Sequence, residues 1–306
     1  MKTLAPGYDL TSDDAEELER IIRSADSLPA IPVIAARVLA MLRNDEVRIE
    51  ELASSVLADP AMAAKVVKMA NSPFYGWRRN IRTIPEAIAI LGFNTLKGLV
   101  LAASLSRVYQ PFGPTEKLLW EHSSAVAMAA RFLAASVRRT LMEESFLIGL
   151  LHDVGKQVLK IFAPKKYTQV ATLMTYQGVT ATEAERLIFT FAHDEVGGRI
   201  IEQWNFPVEL VFPVRYHHRF DELVGDNELF TSVTEESFPI LLTALVGLAD
   251  QFCLKLGIGG HGPQALDLTE SRQARYLGIE PGNLLLLLET FQKLYTDEWV
   301  GMLADM

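Results

Sequence analysis

One cysteine, Cys253, is all the thiol chemistry that this chain of 306 residues contains. No intrachain disulfide can form, which excludes a disulfide-stapled secreted fold and fits a reducing compartment. Cys253 itself reads as a small core residue. Long apolar runs are missing too. The best candidate, Ile240 to Ala249, falls short of the roughly 20 residues that a spanning helix needs, and it ends at Asp250. The N-terminal stretch has no apolar core and turns acidic by Asp13 and Asp14, so it does not read as a secretory signal. Positive charge is scarce: 29 Lys and Arg stand against 38 Asp and Glu, for a net charge of −9. Contact with nucleic-acid phosphates takes a basic face, so DNA is not the expected partner. A small basic pocket for one phosphate stays compatible with that charge. Strand-like alternation is scarce, and there is no internal repeat, low-complexity tract or heptad. The expectation is a cytoplasmic protein with neither membrane nor DNA contacts.

What is present is helix. At 49% hydrophobic and 22% charged, the chain can bury a sizeable core. Ser12 and the acidic residues after it start a helix over 12–24. Pro29 and Pro32 break the chain, and helices follow at 33–43 and 48–58. Asp59 caps, and Pro60 opens, a helix running to Asn71. Residues 71–85 form a loop, Thr83 caps a helix that ends at Gly92, and another helix occupies 93–109. Pro111, Gly113 and Pro114 mark a subdomain boundary. Beyond it, helices are predicted at 115–138, 143–162, 164–177, 181–192, 193–204, 207–218, 237–257, 269–277 and 282–303. A polar loop spans 219–236, and Gly257 to Pro263 reads as flexible. The fold class is all-α, with two packed helical subdomains. An N-terminal extension covers 1–25, the first subdomain 26–110, the second 111–260, and C-terminal helices packing on the core 261–306.

The chemistry gathers in the second half. The stretch Gly149 to Lys156, GLLHDVGK, sets His152 beside Asp153 in an apolar run that reads as helix, with Lys156 one turn on. Gly149 and Gly155 bracket the pair and admit a close backbone or ligand. Five of the six histidines fall in this half's helical block: His122, His152, His193, His217 and His218. Asp250 is the only charge between Ile240 and Gln251, and a carboxylate there is costly to bury unless paired or bound to a cation. Any one of these histidines taken alone is more often a hydrogen-bonded core or surface residue than a ligand. Together, five His and two Asp point to metal. Imidazole and carboxylate without thiolate suit iron, manganese or zinc. So many ligands exceed one tetrahedral zinc, which points to two divalent metals with Asp153 bridging and Lys156 neutralising phosphate charge. His261, in the Gly-rich turn, reads as solvated.

The chain also resembles a known family. LLHDVGK, with a histidine upstream and His and Asp downstream, is similar to the HD superfamily of metal-dependent phosphohydrolases. LPAIPVIAARVLAML, the DPAM and ANSPFYG turns and SFLIGLLHD resemble the HDOD family in particular, over about residues 22–300. The likeness implies a bacterial signalling or regulatory protein, and many such proteins have lost their metal ligands. This chain keeps them. Its spacing resembles the HD-GYP branch, which hydrolyses cyclic di-GMP at an iron site. By that likeness His122, His152, Asp153, His193, His217, His218 and Asp250 fall on ligand positions, with iron the first choice of metal. Lys156 falls on the phosphate-binding lysine. Two departures limit the likeness. No Gly-Tyr-Pro follows His218, which weakens cyclic di-GMP as substrate. Leu118 stands where that branch has a glutamate, which argues against a third metal.

Two functions stay open at this point. One is a phosphohydrolase acting on a nucleotide or other phosphorylated small molecule. The other is a regulatory module that binds a signalling partner without turnover, its metal structural or sensory. Arg78, Arg79 and Arg82, beside Phe74, Tyr75 and Trp77, are read as solvated arginines next to aromatics that cover a subdomain junction. Lys165 and Lys166 are read as a solvated helix start.

Overall fold

The computed structural model describes residues 10–25, 38, 49–71, 81–105, 113–224, 238–259 and 266–295. Among them every regular element is helical. The expected helix at 33–43, the arginines Arg78 and Arg79 with their aromatics, Pro111, His261 and the chain after Tyr295 lie outside the described residues.

Local sequence sets the helix ends. α1 (Ser12–Ser24) begins with a reciprocal cap, in which Thr11 accepts from the Asp14 amide and the Asp14 carboxylate accepts from Thr11. After α2 (Ile49–Leu57), Asp59 accepts from the amides of Ala61 and Met62 and starts α3 (Pro60–Ala70). The Asn71 side chain both donates to and accepts from the backbone of Ile81, at 2.6 and 2.7 Å, and so ties the end of α3 to the residues before α4. α4 (Ile84–Leu91) and α5 (Phe93–Leu105) follow.

The second half turns about α6 (Pro114–Val137), whose residues from Ser123 to Ala130 are all buried. α7 (Met142–Leu151) packs along it, and α13 (Phe238–Lys255) packs on both. Between them in the chain come α8 (Val154–Phe162), α9 (Pro164–Gln177), α10 (Ala181–Phe189), α11 (His193–Gln203) and α12 (Val208–Tyr216). α14 (Arg272–Tyr276) and α15 (Pro281–Leu294) complete the described chain. One apolar core runs from Val56 and Leu99 through Ile148 to Leu245 and Phe291. A second core joins Leu18 and Ile21 of α1 to Val158, Phe189 and Ile200. Cys253 is fully buried, as expected. α13 has the length and mean hydropathy, 1.4, of a membrane span, yet 67% of it is buried inside the molecule. It is a core helix here.

Three helices are shorter than predicted, and the last, expected over 282–303, ends at Leu294. The stretch 143–162 breaks at His152 and Asp153, and 181–192 stops at Phe189 because Thr190 takes a left-handed backbone with φ 67°. Lys166 is not merely solvated: it pairs with Glu17 of α1 at 2.6 Å and lies over the Phe189 ring.

Candidate metal centre

The break at residues 152–153 is what assembles the site. Neighbours in an unbroken helix point about 100° apart. Here α7 ends at Leu151 and α8 starts at Val154, so His152 and Asp153 sit in the joint, and His152 Nε2 lies 3.4 Å from Asp153 Oδ2. The flanking glycines allow the joint to be tightly held. A Cβ on Gly149 would stand 2.7 Å from Ala127 Cα of α6, and one on Gly155 would collide with the His193 carbonyl of α11. In both cases the close approach is to backbone.

All seven predicted ligands meet at this joint. His122 comes from the middle of α6, His193 opens α11, His217 and His218 form the turn after α12, and Asp250 comes from α13. Neighbouring rings lie 5.4 Å apart for His122 and His152, 5.1 Å for His152 and His217, and 4.9 Å for His193 and His218. One atom from each of Asp153, His193, His217 and His218 lies within 4.8 Å of the others, and the same holds for His122, His152 and Asp153. Asp153 belongs to both groups.

The hydrogen bonds decide which ring nitrogens face inward. Nδ1 of His122 lies 3.0 Å from the Ile258 carbonyl, Nδ1 of His152 2.7 Å from Gly149 O, and Nδ1 of His217 2.7 Å from Val214 O. A carbonyl only accepts, so each Nδ1 carries the proton and each Nε2 presents a lone pair in the neutral ring. Nε2 of His152 and of His217 are buried with no hydrogen-bond partner. Nε2 of His193 faces Nε2 of His218 at 3.0 Å and Asp153 Oδ1 at 3.0 Å. The unpartnered lone pairs of His152 and His217, buried beside the Asp153 carboxylate, fit a cation at this point. Nδ1 protons tied to oxygen are also the usual outer support of metal-bound histidines. The residues present fit a metal.

Charge in the cluster follows from burial and these contacts. Burial pushes the His152 ring down to about 3 against the pull of Asp153. It also lowers His217 and His218, each further depressed by a neighbouring histidine. His193 is also pushed down by burial, but the Glu185 and Asp153 carboxylates outweigh this and hold it up at about 9. Burial opposes ionisation of Asp153 and Asp250, yet both are held below the ordinary carboxylate range. His152 and Lys156 do so for Asp153, and His122 for Asp250. Lys156 donates to Asp153 Oδ2 at 2.6 Å, and His122 Nε2 lies 2.9 Å from Asp250 Oδ1.

Several supports escaped the sequence reading. Glu185 of α10, fully buried, accepts at one oxygen from both the backbone amide and Nδ1 of His193. Helical spacing already places Glu185 on the face of Ala181, Ile188 and Phe189, an apolar stripe where a carboxylate needs a partner. Arg219 is buried against Asp194, at 3.0 Å, and donates to Arg215 O, tying the start of α11 to the turn after α12. Of the stretch Gly257 to Pro263 that was expected to be flexible, the described part, residues 257–259, is instead seated against His122 through the Ile258 carbonyl. A cavity of about 430 Å³ opens beside the cluster. Asp153, Lys156, Asp250, Tyr167, Met174 and Arg186 are among the residues that line it.

Comparison with known proteins bears on the family and the fold. The sequence pattern of the HDOD domain matches residues 28–220. An HDOD domain protein of unknown function from Geobacter sulfurreducens is 27% identical, with a TM-score of 0.74 over 95% of this chain and 97% of that one. A Shewanella amazonensis protein described as a candidate phosphohydrolase shares the fold at 21% identity and a TM-score of 0.68, over 92% and 96% of the two chains. An uncharacterised Treponema pallidum protein is 23% identical over 194 residues, 63% of this chain, and the chain spans 38% of that protein's length.

Proposed function

This chain belongs to the HDOD domain family, and from that premise we propose that it is a bacterial, cytoplasmic signalling protein with a di-metal site that hydrolyses a phosphoester. One observation carries the reading: two groups of inward-facing ligand atoms share Asp153. His122 and His152 would serve one ion with Asp250, and His193, His217 and His218 the other, with Asp153 between them. The donor set suits iron first, with manganese or zinc as alternatives.

When bound, a metal pair supplies Lewis-acid polarisation and an acidified water. The chain's own residues supply the rest. Glu185 and the three backbone carbonyls fix the rings, so the inward nitrogens are oriented in advance. Lys156 reaches the cavity with its ammonium and is placed to take up charge developing on phosphate oxygens. The cavity accepts a small phosphorylated molecule such as a nucleotide.

A second reading has its own observation. Lys156 on Asp153, His122 on Asp250 and His193 on Glu185 already balance the buried charges within the protein. A regulatory module that signals to a partner protein without turnover needs nothing more. Phosphate release from phosphomonoesters, nucleotides and cyclic dinucleotides by metal-loaded protein separates the two. The enzyme reading expects turnover of at least one compound, lost in Lys156→Ala with the metal content retained. No turnover of any compound favours the module.

A further inference from the structure

The cavity beside the cluster has a second polar feature that metal binding and Lys156 leave unused. Gln251 follows Asp250 directly on α13, and Gln273 projects from α14. Both line the 430 Å³ cavity, and both line an adjoining cavity of about 270 Å³. Gln251 Nε2 donates to Gln273 Oε1 at 3.1 Å, and Ser271 Oγ donates to the same oxygen at 3.3 Å. Gln273 Oε1 is thereby supplied with donors. Gln251 Oε1 is buried with no donor at all. Such an acceptor in a native protein asks for an explanation. The terminal amide torsion of glutamine is broad, so a small rotation turns this oxygen toward the cavity.

The pair therefore offers one acceptor, from Gln251, beside one donor group, the Gln273 amide nitrogen, which takes part in neither contact. Exchanging the oxygen and nitrogen of both amides would only swap the two roles. Adjacent donor and acceptor atoms on a planar group match the edge of a nucleobase, which glutamine amides contact in the same paired way. Leu254 and Leu266 line the same cavity and offer an apolar surface beside the amides. Gly247 leaves room for this arrangement: a Cβ there would stand 3.3 Å from Gln273 Nε2. Because Gln251 is the next residue after Asp250, the amide edge is fixed relative to the cluster.

We infer that Gln251 and Gln273 read the leaving group of the substrate, and that this leaving group is a nucleoside recognised by the hydrogen-bonding edge of its base. The inference rests on the phosphoester reading for the position of the phosphate. Its test has a second arm that does not depend on turnover. Full-length metal-loaded protein is assayed with the four common nucleoside monophosphates and with phenyl phosphate, which has no such edge. Gln251→Met and Gln273→Met are compared with the parent. The ratio of kcat/KM for the best nucleotide over phenyl phosphate should exceed ten in the parent and fall about tenfold to a hundredfold in each variant. An unchanged ratio in both variants overturns the inference. If nothing is hydrolysed, the phosphohydrolase reading fails by itself, and calorimetric binding of the same nucleotides decides the point. Tighter binding to the parent than to both variants upholds base recognition; equal binding, or none, overturns it. Circular dichroism confirms that the variants fold.

Discussion

Glu185 Oε2 lies 2.8 Å from the His193 backbone nitrogen and 2.6 Å from its Nδ1. One oxygen thus fixes both the start of α11 and the plane of the ring. Glu185→Gln keeps the volume but cannot give that oxygen's charge, and its amide nitrogen competes as a donor. Metal affinity should fall about tenfold to a hundredfold. Titration with iron(II) or manganese(II), read by calorimetry, measures this. Affinity equal to the parent's would remove Glu185 from the support of the site.

The helical class was legible in the sequence, and the seven candidate ligands that the fold brings together were singled out there by the gathering of His and Asp in one half and by the likeness of LLHDVGK to a known family. The supports were harder to see. Glu185 was one carboxylate among 38 acidic residues, and only its partner, eight residues on, shows why it is buried. The Ile258 carbonyl carries no side-chain signature, and it sits in a stretch whose glycines suggested mobility. The break at His152 and Asp153 was hidden for a different reason. Helical periodicity continues on both sides of it, and the joint is set by the glycine-mediated approach of α6 and α11, a tertiary effect.

Asp153 is the shared member of both ligand groups, so its loss should not be partial. Asp153→Ala should abolish metal occupancy, as read by elemental analysis of protein purified without chelator. Loss of a single site, with one ion per chain retained, would show that Asp153 does not bridge. Full retention would move the metal elsewhere.

His193 gives the centre a pH dependence. Its ring is held at about 9 in the fold against an ordinary value of 6.5. The stability that this protonation contributes is fully present below pH 6.5 and is lost as pH rises through 9. Metal-free protein should therefore melt at a lower temperature at pH 9 than at pH 6.5. Metal binding needs the neutral ring and must displace that proton, so apparent affinity should rise over the same window. Both trends should weaken in Glu185→Gln, whose His193 lacks its main anionic partner. Melting curves and metal titrations at half-unit pH steps test this. A flat affinity profile between pH 6.5 and 9 contradicts it.

Gly155 is where packing and chemistry are tied most closely. A Cβ at this position would meet the His193 carbonyl and lie 2.7 Å from the Gly197 nitrogen, both backbone atoms of α11. Backbone cannot rotate away as a side-chain tip can, so Gly155→Ala must push α8 and α11 apart. Asp153 and Lys156 stand at the start of α8, and His193 at the start of α11, so the ligand separation grows with the helix separation. Overpacking of this kind costs about 1–3 kcal/mol, which denaturant unfolding of metal-free protein will report. Metal affinity should fall as well. Gly149→Ala, whose clash is with Ala127 on α6, provides the comparison. It should destabilise by a similar amount but leave the Asp153 to His193 spacing alone, and so keep more of the metal affinity. If Gly155→Ala binds metal as tightly as Gly149→Ala, the approach of α8 and α11 is a matter of packing only.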